Sequence, residues 1–572
     1  MALHNAIVDS QPKEIAYIKI MTTCLLVLNF IDFLVLYFFV ISRLEWRKKS
    51  YENVGNLGYS TFYHIYSNLF LLIEFSVDTG RYDEGTKYIG DISIDSTFTL
   101  SILPRNITTP MKAYTCTNRS NSYLGDLIDS FAVLCEGRNP FDISNTLVSG
   151  NSVYKVCVDA KPMGNISASL KNQIVTSNYL SANIAGTMQS GTRYPNIFAD
   201  NDYCQKMLND GLVIGNTFSA LDELLAFYLR LSSHNKLYFL IITVIIPAIV
   251  FVLTVTIFSL IIYSYQRRES KLFKALHNLP NPIKDDSKSP LLFKNEDSES
   301  NANNKLKTTN IMNQLPFFIY LFLLVVIAVF VSVGFNAIKL DSLLTTILNW
   351  FYFSCSRIVI ASQLGNNAVQ MILMNDSLPQ QITDFETLKD NVVEDLEKMI
   401  LENKELMYGT DTQPGSLNFD KKLDEYQLQG NCEIPGTPTS IHDMYACTSI
   451  TQQMIMYRNM VNNIFKDPQS FQGTLNGEVA SNMIHILRFH IYPAIIKVTK
   501  RIGEVMEETY DTRMADQLIL VIVGLACSVV CFILPFLFNR LLLLEYKTVM
   551  VLIKRLPPVS YTHLTLPTTE RV

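Results

Sequence analysis

The chain has 572 residues, 48% of them hydrophobic and 17% charged, with a formal net charge of −5 and a mean hydropathy of +0.18. So small a net charge, with no Lys/Arg-rich stripe carrying interleaved aromatics, argues against a nucleic-acid partner. The apolar residues gather in a few long blocks, as a bilayer requires and a soluble core does not.

Residues 1–19 form a short cytoplasmic lead into the first apolar window, 20–41. That window starts too late and runs too long for a cleaved signal peptide. It leads into Arg43-Leu-Glu-Trp-Arg-Lys-Lys49 rather than a small-residue cleavage site, so it reads as an anchor. It carries Asn29 and Asp32, and an ionisable group in hydrocarbon normally faces a bundle interior and finds a partner there. Residues 59–77 are mostly apolar but hold His64 and Glu74, which favours a juxtamembrane helix over a fifth span.

The first long segment, 42–236, mixes signals. Phe98–Ile102 and Tyr154–Val158 alternate like strands, and 218–231 reads as a helix entering the next span. Glycosylation acceptors occur at Asn106, Asn118 and Asn165, and Cys116, Cys135, Cys157 and Cys204 are even in number. The second apolar window, 237–263, has no charge but contains Pro247.

Residues 264–314 hold nine Lys/Arg, with Arg267, Arg268, Lys271 and Lys274 directly beside the span. Basic flanks remain in the cytoplasm, so this loop faces in and both long segments face out. Within it, 285–304 is polar, serine-rich and poor in aromatics, the composition of a disordered connector. The basic run at Arg43–Lys49 sits on the wrong side of this topology.

The third window, 315–338, is uncharged and precedes an apolar stretch at 343–364. The second long segment, 339–517, reads as helical. Thr383-Asp-Phe-Glu386 is a capping box, leading into Phe385, Leu388, Val392, Leu396 and Met399 at helical spacing, with Gly409 as a stop. A further helix starts near Gly477, is interrupted at Pro493 and runs toward the fourth window, 518–538, which contains Pro535. This segment adds a fourth acceptor at Asn375 and the pair Cys432 and Cys447, whose spacing suits a disulfide in an oxidising compartment. Residues 539–558 read as a basic juxtamembrane helix.

The expected fold is therefore a mainly α membrane protein with about four spans in two repeated span–ectodomain–span units. Ectodomain 1 is expected to be mixed α/β and ectodomain 2 helical. The two cytoplasmic exits match in form: Phe273-Lys-Ala-Leu276-His-Asn-Leu279-Pro280 and Met550-Val-Leu-Ile553-Lys-Arg-Leu556-Pro557.

No phosphate loop, zinc-protease helix, nucleophile elbow or kinase motif set occurs, so no catalytic, cofactor or metal residue is assigned. His485 and His490 are five apart and do not share a helix face as ligands four apart would. The implied partners are the lipid bilayer, a second copy through the spans and an unknown extracellular ligand.

The layout over residues 17–558, with its span-to-Leu-Pro exits, resembles the multi-pass region of the Tiny macrocysts B-like proteins of single-celled eukaryotes. It is also similar to the related receptor-type nucleotidyl cyclases. That resemblance implies a receptor in a plasma membrane or endomembrane, with its output module beyond Pro558. It carries over no catalytic residue. Val559-Ser-Tyr-Thr-His-Leu564 and the residues to Val572 resemble translated sequencing adapter, so the protein is expected to continue differently past that point. The competing readings are a transporter or channel subunit and an adhesion glycoprotein.

Overall fold

The structure is a computed structural model. It describes residues 13–82, 153–158, 161–167, 200–278, 299–374, 385–430, 440–467 and 473–554, with a few isolated positions at 180, 183–184, 281–282 and 471. The described chain is mainly helical. In order it comprises α1 (Lys13–Asp78), β1 (Val153–Val158), β2 (Lys161–Ser167), α2 (Asn201–Leu240), a π-helical turn (Ile241–Ile245), α3 (Ile246–His277) and α4 (Glu299–Leu373). Next come α5 (Phe385–Tyr408), α6 (Lys421–Leu428), α7 (Ile441–Ala446), α8 (Ile450–Lys466), α9 (Glu478–His485), a second π-helical turn (Ile486–Ile491) and α10 (Tyr492–Lys554).

Three stretches, 225–268, 323–373 and 478–530, lie in helices long and apolar enough to cross a membrane. The 20–41 window lies within α1 but is not among these three. Helix α1 has 66 residues, about 100 Å of helix at 1.5 Å per residue and some three times the hydrocarbon thickness. The basic run Arg43–Lys49 does not interrupt it, because Arg, Lys and Glu are good helix formers. Helix α4 likewise begins at Glu299, so residues 299–304, expected within a disordered connector, are helical.

The chain divides into two units. Unit 1 comprises Met1–Leu44, His234–Leu340 and Thr512–Val572; unit 2 comprises Glu45–Ser233 and Asp341–Asp511. Each change of unit among the described residues falls inside a helix: α1, α2, α4 and α10.

Unit 1 exposes large apolar side chains such as Val252, Leu260, Phe335 and Ile519. Its interior holds a cluster of Ile15, Ile18, Phe258, Tyr265, Phe538 and Leu542. Close approach is made by small residues: a Cβ on Gly334 would collide with the Thr243 side chain, and one on Gly524 with the Phe33 ring. Phe33 stacks on Phe330 at 4.0 Å between ring centroids.

Unit 2 is built on α4, α5, α8 and the start of α10. Helix α5 presents Leu388, Val392, Leu396 and Met399 inward, as the sequence spacing led one to expect, with Phe385 only partly buried and Leu406 extending the stripe, and it stops at Gly409 with φ of +86°. The left-handed conformation and the crowding of Gly409 by the Gly415 and Pro414 backbone leave no room for a side chain. Trp350 donates from its indole to the Pro414 carbonyl at 2.7 Å and ties this turn to α4.

The backbone of β1 and β2 forms a two-stranded antiparallel hairpin, the only sheet among the described residues. Most of 83–199, including the expected strand at 98–102, lies outside those residues, as does the Thr383 capping box.

Candidate functional site

Two polar clusters lie inside unit 2. The first joins α4, α5 and α10. Arg357 is fully buried and its guanidinium donates to the Asn403 amide oxygen and, through Nη2, to Ser354 Oγ at 3.5 Å. Ser356 donates to Glu402 Oε1 at 2.8 Å, Asn367 to Asp395 Oδ2 at 3.1 Å, and Asn403 to Thr451 Oγ1 at 3.0 Å. Ser354 and Thr499 share a hydroxyl bond of 2.5 Å.

Burial dominates the electrostatics of this cluster. Loss of hydration pushes the Asp395 carboxyl up to about 7, against the opposing bond from Asn367. Glu402 is pushed to about 7 by the same cause, against Ser356, Lys398 and Arg357. The Glu402 Oε2, Arg357 Nε and Tyr457 hydroxyl make no hydrogen bond. Unsatisfied groups of this kind are costly in a low-dielectric interior.

The second cluster is three imidazoles. His442 is on α7, whose start is fixed by a capping box between Ser440 and Asp443. His485 ends α9 and His490 lies in the second π-helical turn. His442 Nδ1 lies 3.0 Å from His485 Nε2, and His490 Nε2 lies 3.3 Å from that same nitrogen. The ligating nitrogens of all three fall within 4.8 Å of one another. His485 and His490 are buried, whereas His442 reaches the surface. Burial, reinforced by repulsion from His442, lowers the pKa of both inner rings and favours their neutral form.

This overturns the expectation that residues five apart cannot share a helix face. In a π-helical turn the bonds run i→i+5, and the added residue per turn aligns positions five apart. Pro493 gives the reason for the turn. It lacks an N–H, and its ring crowds the carbonyl of Phe489; widening the preceding turn accommodates it without ending the helix. Pro247 comes after the other π-helical turn at the same spacing.

A third feature is ionic. Arg501 donates to both oxygens of Asp420 at 3.0 and 2.9 Å and pairs with Glu504 and Glu508 at 3.0 and 2.9 Å. Asp420 also caps α6 through Leu423 N, and its carboxyl is held below the usual range, chiefly by Arg501.

Of the residues singled out in the sequence, Cys204 is fully buried in α2 and Cys447 forms the C-cap of α7. Cys157 and Asn165 lie on β1 and β2. Asn106, Asn118, Asn375, Cys116, Cys135 and Cys432 lie outside the described residues. Asp32 is half-buried in α1, with no hydrogen bond or ion pair to another described residue, and Asn29 is on the same helix.

Residue spacing did not single out Arg357, Asp395, Glu402, Asn403 or the histidine triad. A signal existed for the first four. Asp395, Glu402 and Asn403 fall on the inward stripe of α5, and Arg357 is a lone charge in an apolar stretch. For the triad, the sequence drew attention to His485 and His490, but their spacing set them aside, and His442, on a different helix, gave no signal. No family model, curated protein or solved structure matches this chain.

Proposed function

We propose that this protein is a multi-pass membrane sensor of the receptor class, with unit 2 on the non-cytoplasmic side. The carrying observation is that α1, α2, α4 and α10 pass between the units without a break. A binding event that shifts one of these helices in unit 2 therefore acts on a helix that continues into an apolar stretch.

In this reading the 20–41 window is a fourth span and the first outer segment is mixed α/β. Disulfides and sugars at Asn106, Asn118, Asn165 and Asn375 face an oxidising compartment. The bonded state of Cys204 and Cys447, against the free thiols of Cys24, Cys355 and Cys527, supports that placement. Cys432 is the proposed partner of Cys447, and a plasma membrane or endomembrane is the proposed location. The resemblance to receptor-type cyclase regions points to the same class.

The test is electrical and enzymatic. Purified protein in planar bilayers should carry no ion current, and glycosidase should increase its gel mobility when it comes from a secretory cell. A sustained single-channel current would replace the sensor with a pore.

A further inference from the structure

We infer that His442, His485 and His490 form a binding site for a divalent transition-metal ion of the zinc type. The inference does not rest on the receptor reading. It begins with the number of nitrogens that converge. His485 Nε2 is approached by His442 Nδ1 at 3.0 Å and by His490 Nε2 at 3.3 Å. A ring nitrogen has a single in-plane lobe. It donates one hydrogen bond when protonated or accepts through one lone pair when bare. Two such neighbours therefore exceed what a chain of neutral imidazoles can satisfy. A cation at the point where the lone pairs meet satisfies all three.

The separations fit that cation. With zinc–nitrogen bonds near 2.0–2.1 Å, adjacent ligands of a tetrahedral site stand about 3.3 Å apart. One edge, 3.3 Å, matches that value, the other, 3.0 Å, is slightly shorter, and the third lies within 4.8 Å. Metal binding would hold all three rings in their neutral form, which is the ligating form of imidazole. An all-nitrogen set selects zinc, copper or nickel over calcium and magnesium, which require oxygen ligands. Zinc is the commitment here, because three protein ligands and one open position are its usual arrangement in reactive or exchangeable sites.

The local fold is built to hold these rings. The π-helical turn aligns His485 and His490, and π-bulges inside α-helices often occur at functional positions. Helix α7 is fixed at one end by the Ser440–Asp443 capping box and at the other by Cys447, which is disulfide-bonded. His442 is the exposed member, so it provides the route by which an ion enters. His485 Nδ1 has no hydrogen-bond partner, whereas tight sites orient each imidazole through its second nitrogen. The site should therefore bind exchangeably, with an affinity below that of structural zinc sites.

Full-length protein carrying a histidine-free tag, stripped by chelator and desalted in detergent, tests this directly. Dialysis against zinc should load about one ion per chain. Cobalt should give the intense visible d–d bands of a tetrahedral nitrogen site. His442→Ala, an exposed change that leaves the buried rings in place, should weaken zinc binding by at least about tenfold. His490→Ala should abolish the cobalt bands, whereas His234→Ala, on α2, should leave both measurements unchanged. Absence of zinc from the loaded wild-type protein, or full occupancy in His442→Ala, would overturn the site. Neither result bears on the bilayer-current measurement, so failure of this site and failure of the sensor reading can be told apart.

Discussion

Units 1 and 2 are both helical, yet only unit 2 gathers charged side chains into a buried network among the described residues. Among its described residues, unit 1 links helices through the neutral bonds of Ser259 with Tyr320 and of Gln517 with the Val333 carbonyl. In unit 1 the hydroxyls of Thr243, Thr256, Ser332 and Ser528 bond back to the carbonyl four residues earlier in their own helix, at 2.6–2.9 Å. In unit 2 the polar groups reach across: Ser356 to Glu402, Asn367 to Asp395, Arg357 to Asn403. A helix facing lipid must satisfy its polar groups within itself, and a helix packed on other helices can share them. Among the described residues, unit 1 exposes more large apolar side chains than unit 2, although Leu401, Tyr408 and Leu428 of unit 2 are exposed as well.

The comparison breaks most readily at Arg357. Arg357→Ala leaves Glu402 and Asn403 buried with fewer partners and should cost about 3–5 kcal/mol, read as a large drop in the unfolding midpoint in detergent. A drop of only a degree or two would mean that the buried network is not shared between helices as described.

The buried carboxyls give a pH dependence of known sign. Asp395 and Glu402 have folded pKa values raised to about 7, above their ordinary values near 4. The folded state therefore holds more protons than the unfolded chain between about pH 4 and pH 7, and stability falls as pH rises through that window. Each group should contribute roughly 4 kcal/mol below pH 4 that is gone above pH 7. Glu402→Gln should flatten part of the slope, and a profile rising from pH 5 to pH 7 would contradict the assignment.

On the unit 1 side, Val252 is exposed and apolar. Val252→Arg should cost about 3 kcal/mol of membrane insertion, measured by glycosylation-tagged insertion of that helix. Tyr408→Arg, at an equally exposed site on α5, should change stability by less than about 0.5 kcal/mol. Equal effects at the two positions would erase the distinction between the units.

Asp420→Asn is a mild change within the ionic cluster. It keeps the cap of α6 but weakens the forked bond to Arg501, and the expected loss is about 1 kcal/mol because the pair is only partly buried. Glu504 and Glu508 still hold the guanidinium, so a loss of several kcal/mol in a denaturant titration would contradict this sharing.

Much of the fold is legible in the sequence. The apolar windows, the inward stripe of α5 and the stop at Gly409 follow from residue spacing. Helix continuity does not. Arg43–Lys49 and Lys339–Ser342 look like breaks beside apolar runs, yet neither contains proline or glycine, and α1 and α4 pass through them. Proline misleads in the other direction: Pro493 reads as an interruption, but a wider turn absorbs it and carries His490 into line with His485. That alignment depends on backbone geometry that residue spacing does not reveal. The partnership with His442 depends on tertiary packing.

The central proposal is that residues 339–517 lie on the non-cytoplasmic side and residues 264–314 on the cytoplasmic side. Cysteine accessibility tests it most directly in a background lacking Cys531 and the thiols that are free among the described residues, Cys24, Cys355 and Cys527. Asp411→Cys, on the exposed turn after α5, should react with a membrane-impermeant maleimide on intact cells. Ser287→Cys, in the basic segment between the second and third apolar windows, should react only after permeabilisation. Labelling of Ser287→Cys on intact cells, with Asp411→Cys protected until the membrane is opened, would contradict the account.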